Sequence, residues 1–80
     1  MKLPIIKHIA QTYSLEDLRA AENALLEGET LAIEVEGEDE GEQLTHILAA
    51  ISIQEDIAQN GIAFTEALRN YTQRVRNSIN

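Results

Sequence analysis

The chain has no cysteine and no tryptophan among its 80 residues, and its aromatic residues are only Tyr13, Phe64 and Tyr71. Without cysteine, a disulfide framework, a cysteine-ligated zinc site and thiol redox chemistry are all excluded. The few aromatic side chains provide no stacking platform of the kind that proteins binding single-stranded nucleic acid use. Acids outnumber bases 14 to 6, for a formal net charge of -8, so a basic surface that could neutralise phosphates is also missing. We therefore predict no nucleic-acid partner.

Long apolar runs are absent as well. The few apolar residues before Lys7 are too short for a signal-peptide core, and no stretch approaches the roughly eighteen apolar residues of a membrane span. These features predict a cytoplasmic protein with no membrane partner. The hydrophobic content of 44% is ordinary for a globular protein, and with no repeat and no linker we expect one domain over residues 1–80. So short a chain buries a small core, which favours a homodimer as the means of burying more.

Helical patterns begin near the N-terminus. Pro4 suits the start of a helix, and the isoleucines that follow it recur at helical spacing, although a strand over residues 3–7 is the competing interpretation. Ser14 is typical of a helix N-cap, because its hydroxyl can accept a bond from an unpaired backbone N–H. The helix that it begins carries five apolar residues on one face and ends at Gly28. That face consists of Leu15, Leu18, Ala21, Leu25 and Leu26.

The second half of the chain predicts two more helices. The longest runs from Asp39 or Gly41 to Gln59, and the Asn-Gly pair at residues 60–61 ends it. The last begins near Ile62, and its apolar face consists of Phe64, Ala67, Leu68, Tyr71, Val75 and Ile79. Residues 31–36 alternate apolar and acidic, which is compatible with a short strand or an extended connector. We therefore predict a mostly α fold, a small bundle of about four helices.

The long helix is apolar over an unusually wide arc. One stripe consists of Leu44, Ile47, Leu48 and Ile51, and a second, beside it, consists of Ala50, Ile53 and Ile57. A helix in so short a chain is not expected to bury both stripes against one neighbour. We predict that the second stripe forms the dimer surface.

The charges are unevenly distributed. Eight of the fourteen acids lie between Glu27 and Glu42, and half of the bases lie in residues 69–76. We consider the acidic stretch, in particular Glu36, Glu38, Asp39 and Glu40, either a solvated connector or a docking surface for a basic partner. A calcium loop is a weaker reading, because its twelfth position is an isoleucine where a bidentate carboxylate is needed. The basic cluster, Arg69, Arg74 and Arg76, could bind an anion, pair with the acidic stretch of a neighbouring subunit or remain solvated.

His8 and His46 are the only histidines, and they define an alternative function. Together with the acidic residues 34–42 they could form a small metal- or ligand-binding regulatory module, although no local ligand spacing supports zinc. A buried, hydrogen-bonded histidine is the stronger interpretation. No Gly-x-Ser-x-Gly sequence and no phosphate-binding glycine loop is present. We predict no enzyme activity and no cofactor, and the leading function is a non-catalytic interaction or accessory protein.

Both ends of the chain carry a resemblance. Residues 1–8 (MKLPIIKH), 66–68 (EAL) and 74–79 (RVRNSI) resemble a family of short bacterial proteins of unknown function, of the green sulfur bacteria and Bacteroidetes type. The resemblance extends to the long helix, whereas residues 28–41 depart from members that join their helices differently there. It implies a small, mostly helical intracellular protein and brings no activity, cofactor or catalytic residue.

Overall fold

Four helices account for most of the computed structural model, which describes residues 2–78. They are α1 (Leu3–Thr12), α2 (Leu15–Leu26), α3 (Glu40–Asn60) and α4 (Phe64–Ser78). The described residues contain no strand, so the prediction of a mostly α bundle is confirmed. Ile79, assigned above to the apolar face of the last helix, lies outside the described residues. No helix among residues 2–78 is both long and apolar enough to cross a membrane.

Local signals fix three of the helix ends. The Ser14 hydroxyl accepts a hydrogen bond from the Asp17 backbone N–H at 3.1 Å, which confirms the predicted N-cap of α2. At the start of α3, the Asp39 carboxylate accepts one from the Glu42 N–H at 2.8 Å. Helix α3 ends at Gly61, whose φ of 61° lies in the left-handed region that glycine adopts without strain. Neighbouring residues alone therefore determine where these two helices start and where α3 stops.

Helix α3 is the centre of the bundle, and each of the other three helices packs against it. Helix α1 runs parallel to α3, because Lys2 bonds to His46 near one end and the Ala10 carbonyl bonds to Gln54 near the other. Helix α4 returns antiparallel alongside α3 after the short turn at Gly61. The hydrophobic core is formed by residues from all four helices, and its largest fully buried side chains are Ile6, Ile9, Leu18, His46, Ile47 and Ile53.

The predicted dimer stripe lies mostly inside the single chain. Ala50 and Ile53 are fully buried, and Ile57 is partly buried against the same core. This differs from the sequence prediction because three helices surround α3, so the second stripe also finds partners within the chain. Ala50 and Ile53 have no exposed surface with which to contact a second copy. The dimer itself remains a prediction.

Residues 27–39, here called the acidic connector, join α2 to α3. Of the two interpretations left open for residues 31–36, the connector is confirmed, because the segment pairs with no strand among residues 2–78. Val35 is nevertheless buried to 6% exposure and belongs to the core, and Leu31 and Ile33 pack partly against it. The alternation noted in the sequence therefore places apolar side chains inward and glutamates outward without any sheet.

Candidate functional site

The backbone of the acidic connector is held by side chains from outside it. The Glu34 N–H donates to the Tyr13 hydroxyl at 3.3 Å, and the Gln43 amide of α3 donates to the Val35 carbonyl at 2.9 Å. Further along, the Glu38 N–H donates to a carboxylate oxygen of Glu42 at 3.2 Å. These bonds use backbone groups that a loop otherwise leaves to water. The carboxylates of Glu34, Glu36 and Glu38 are left on the outside.

His46 makes the fourth attachment, and it is fully buried. Its Nε2 accepts a hydrogen bond from the Lys2 backbone N–H at 3.0 Å, and its Nδ1 lies 2.9 Å from the Glu36 carbonyl oxygen. Because Nε2 is an acceptor, the proton of the neutral ring belongs on Nδ1, which donates to that carbonyl. One side chain of α3 thus ties the start of α1 to the acidic connector, and both of its ring nitrogens are used.

Gly37 is required where the connector passes over the start of α3. A Cβ atom at this position would lie 2.8 Å from Cγ and 2.9 Å from the backbone nitrogen of Gln43. Both distances are shorter than carbon and nitrogen atoms normally approach one another. The absence of a side chain therefore lets the connector lie directly on α3, which brings Val35 into the core and Glu36 within reach of His46.

A groove runs between α1 and the connector, and we call it the acidic groove. Its volume is about 280 Å³, which is below the usual range of small-molecule sites. One wall is apolar and comes from α1, the other carries carboxylates, and its lining includes Pro4, Ile5, His8, Tyr13, Glu34 and Glu36. A second concave region continues it toward Lys2, Glu38 and Glu42. The groove offers apolar surface for the stem of a long side chain and negative charge for its head group.

The two histidines differ in their surroundings. His8 is exposed at the rim of the groove, where its Nδ1 lies 3.5 Å from the Thr12 hydroxyl oxygen, whereas His46 is in the core. The described residues contain no group of three histidine, aspartate or glutamate side chains placed to hold a metal ion. The buried, hydrogen-bonded histidine favoured by sequence reasoning is what the structure has at His46.

The predicted acidic residues Glu36, Glu38, Asp39 and Glu40 are all exposed, and the structure places them together on the connector and the first turn of α3. Asp39 differs from the others because its carboxylate caps α3. The acidic charge at this helix N-terminus is favourable, since it faces the positive end of the helix dipole.

The three arginines of the basic cluster differ in their contacts. Arg74 donates to the Ser52 hydroxyl at 3.0 Å and lies beside Asp56. Arg69 and Arg76 are exposed, and neither forms an ion pair within residues 2–78, where Arg19 and Glu55 make the one ion pair observed. The structure therefore does not place the basic cluster against the acidic stretch of the same chain.

Asp56 joins α3 to α4. Its carboxylate accepts hydrogen bonds from the side-chain amides of Asn60, at 2.5 Å, and Asn70, at 3.2 Å. These two bonds, with a smaller contribution from the positive charge of Arg74, hold the pKa of Asp56 below its ordinary value of 3.8. On α4, burial raises the pKa of the Tyr71 hydroxyl above its ordinary value of 10.0, against a smaller lowering effect of the Arg74 charge.

Several residues that build the site have no local sequence signal. Tyr13, Gln43 and Gln54 act on backbone groups that are between 8 and 44 positions away in the chain. Gln54 donates to the carbonyls of both Ala10 and Tyr13, and so it caps the C-terminal end of α1, where no glycine follows. No spacing pattern in the sequence predicts such a contact, because the two residues come together only when the helices pack.

Neither the curated proteins nor the solved structures contain a match to the chain. A family model does match, and it covers residues 1–80, including the connector that the sequence resemblance had set apart. The chain therefore belongs to the family of unknown function DUF6952.

Proposed function

We propose that this chain is a non-catalytic protein-interaction module that acts as a homodimer and binds a basic segment of another protein at the acidic groove. The observation that carries the proposal is the four-point attachment of the connector, which fixes an exposed row of carboxylates beside an apolar wall. A preorganised surface binds with a smaller loss of conformational entropy than a flexible acidic loop.

The dimensions of the groove define the partner's chemistry. A lysine or arginine side chain has an aliphatic stem that can lie along Pro4 and Ile5 and a cationic head that can reach Glu34 and Glu36. The surrounding acids raise the encounter rate with a basic segment, and the chain's net charge of -8 acts in the same direction. An open groove of this kind suits recognition better than catalysis, since a general acid needs a site that excludes water.

The test compares two variants of equal charge. In the connector variant, Glu34, Glu36 and Glu38 are changed to glutamine. In the control variant, Glu16, Glu22 and Glu66, which lie on α2 and α4, are changed in the same way. Each variant loses three carboxylates, so each has a formal net charge of -5 instead of -8. Proteins captured from the source cell by the wild-type chain and both variants are then identified and eluted with increasing salt.

We expect at least one protein to bind the wild type and the control variant and to be lost with the connector variant. A synthetic peptide from its basic segment should bind the wild type and the control variant more tightly than the connector variant. Its binding should weaken as salt increases. The same captured proteins with all three baits, or peptide binding that salt does not weaken, would contradict the proposal. The dimer is tested separately by sedimentation at increasing protein concentration.

A further inference from the structure

The middle of α3 carries no charge although part of it faces outward. Residues 43–54 contain no aspartate, glutamate, lysine or arginine, in a chain of which these four make up 25% of the residues, and His46 among them is fully buried. Half of these residues are buried, but Thr45 and Leu48 are exposed and Ser52 is half-buried, and all three lie on one helical face. A solvent-exposed helix face normally carries charges, whereas the centre of a protein interface is depleted of them.

Leu48 and Leu26 extend this face into an apolar patch. They are exposed to 44% and 65%, which makes Leu26 the most exposed large hydrophobic residue of the described chain. Arg19 on α2 forms an ion pair with Glu55 on α3. Leu26 lies seven residues after Arg19, and Leu48 lies seven residues before Glu55. Each leucine therefore shares a helical face with one residue of the ion pair.

The two helices run antiparallel, since Leu25 near the end of α2 and Gln43 near the start of α3 line the same cavity. The two leucines therefore lie on the outer side of the α2–α3 contact, where the Arg19–Glu55 pair also lies. We call the surface formed by Leu26, Thr45, Leu48 and Ser52 the uncharged face.

We infer that the uncharged face binds the uncharged face of a second copy, with the two α3 helices antiparallel about Leu48. This inference rests on the homodimer in the proposed function and names its surface. The face suits a copy of itself because the leucine projects between the smaller Thr45 and Ser52, which are separated by about two turns. A two-fold axis beside Leu48 then places each leucine against the small residues of the other chain.

Charge favours the antiparallel orientation. The N-terminal end of α3 carries Asp39, Glu40 and Glu42, whereas Arg74 lies beside Ser52 and Arg19 lies beside Glu55 further along the helix. In an antiparallel pair about Leu48, the acids of one chain lie opposite residues 54–57 of the other, where Arg19 and Arg74 balance the charges of Glu55 and Asp56. A parallel pair would instead bring the two acidic ends together, and like charges facing each other disfavour association.

The extent of the face indicates a weak dimer. Helix α3 has 21 residues and is therefore about 31 Å long. A helix of this length and about 10 Å wide offers about 300 Å² on one exposed face. This is roughly half of the 600 Å² or more per partner found in stable complexes. We expect dissociation in the micromolar range, so association must be measured over a range of concentrations.

A charge substitution with a matched control tests the surface. Leu48→Glu is compared with Leu3→Glu, because Leu3 is exposed to a similar degree, 40%, but lies on α1. Sedimentation equilibrium should show that Leu48→Glu raises the dimer dissociation constant at least tenfold while Leu3→Glu changes it less than twofold, with circular dichroism confirming that both remain helical. An unchanged constant for Leu48→Glu would overturn the inference and leave the homodimer in place.

Cross-linking gives a second, independent measurement, because the wild-type chain has no cysteine. Chains carrying Thr45→Cys are mixed with chains carrying Ser52→Cys and oxidised mildly. The antiparallel dimer predicts that the mixed 45–52 disulfide forms faster than either the 45–45 or the 52–52 disulfide. Faster 45–45 and 52–52 linkage would overturn the antiparallel orientation. A wild-type chain that stays monomeric at every concentration would overturn both this inference and the homodimer, but would leave the acidic groove untouched.

Discussion

His46 on α3 accepts a hydrogen bond at 3.0 Å from the backbone N–H of Lys2, which lies 44 positions earlier in the chain. The other ring nitrogen of His46 donates to the Glu36 carbonyl, so a single buried side chain joins the first turn of the protein to the edge of its acidic groove. A change at this core position should therefore alter the acidic groove through Glu36, although the His46 ring itself is fully buried.

Replacement of His46 by leucine should destabilise the protein. The change leaves the Lys2 N–H and the Glu36 carbonyl without their partner in a part-buried position, and a polar group that loses its partner away from water costs about 1–3 kcal/mol. We expect the free energy of unfolding in urea to fall by about 2–4 kcal/mol, since the two losses add only in part. His8→Leu, at an exposed position on α1, is the control and should change it by less than about 0.5 kcal/mol. Equal effects of the two substitutions would argue against the double hydrogen bond.

Gly37→Ala should loosen the acidic connector. Its methyl group would meet the Gln43 backbone nitrogen at 2.9 Å, so either the connector or the start of α3 must move. We expect the free energy of unfolding to fall by about 1–3 kcal/mol, as it does when a core is overpacked. Amide hydrogen exchange at residues 34–38 should become faster. Gly41→Ala is the comparison, because its nearest neighbour is a carboxylate oxygen of Asp39 at 3.3 Å and alanine is favoured inside a helix. If both alanines leave the exchange rates unchanged, the close approach is not needed.

The pH dependence of stability should have a contribution from Asp56. Its folded-state pKa lies below 3.8, because Asn60 and Asn70 donate hydrogen bonds to the carboxylate. A carboxyl with a depressed pKa contributes stability that is present above its unfolded pKa and is lost as the pH falls through the folded one. Unfolding free energies of the wild type and Asp56→Asn, measured from about pH 6 to about pH 2, should therefore converge below about pH 4. A constant difference over the whole range would exclude this contribution.

Metal ions should leave the thermal stability unchanged. A ligand that binds only the folded state must raise the melting temperature. At a free concentration one hundred times its dissociation constant, it adds about 2.7 kcal/mol to the free energy of unfolding. The described residues place no three ligating side chains together, and both nitrogens of His46 are already bonded. We expect the same melting temperature with calcium, with zinc and with a chelator. An increase with either ion would support the alternative module built from His8 and the acidic residues 34–42.

Sequence reasoning succeeded where a structure depends on neighbouring residues. Ser14 and Gly61 mark helix ends because capping bonds and left-handed backbone are decided within a few positions. The burial of Ala50 and Ile53 within the chain could not be predicted in this way, since it depends on how many helices surround α3. The same holds for His46, whose sequence context is an apolar helix and whose partners come from two distant segments.

The sequence predicts the acidic side of the groove but not its apolar side. The cluster of acids from Glu36 to Glu40 is evident from composition, and it is exposed as expected for charged residues. Its apolar wall comes from α1, and the bonds that hold the connector come from Tyr13, Glu42, Gln43 and His46. These residues are typical of a helix interior or a turn, and only the packing of α1 and α3 gives them a role in the groove.

The central position of α3 has a consequence for how the protein is made. Helices α1 and α2 pack chiefly on α3 rather than on each other, so the first 39 residues emerge from the ribosome before their main packing surface exists. Because short isolated helices are marginal in water, the N-terminal half should stay largely unstructured until α3 is complete at Asn60. Folding should then occur in one cooperative step, and no fragment that ends before α3 should hold a native structure.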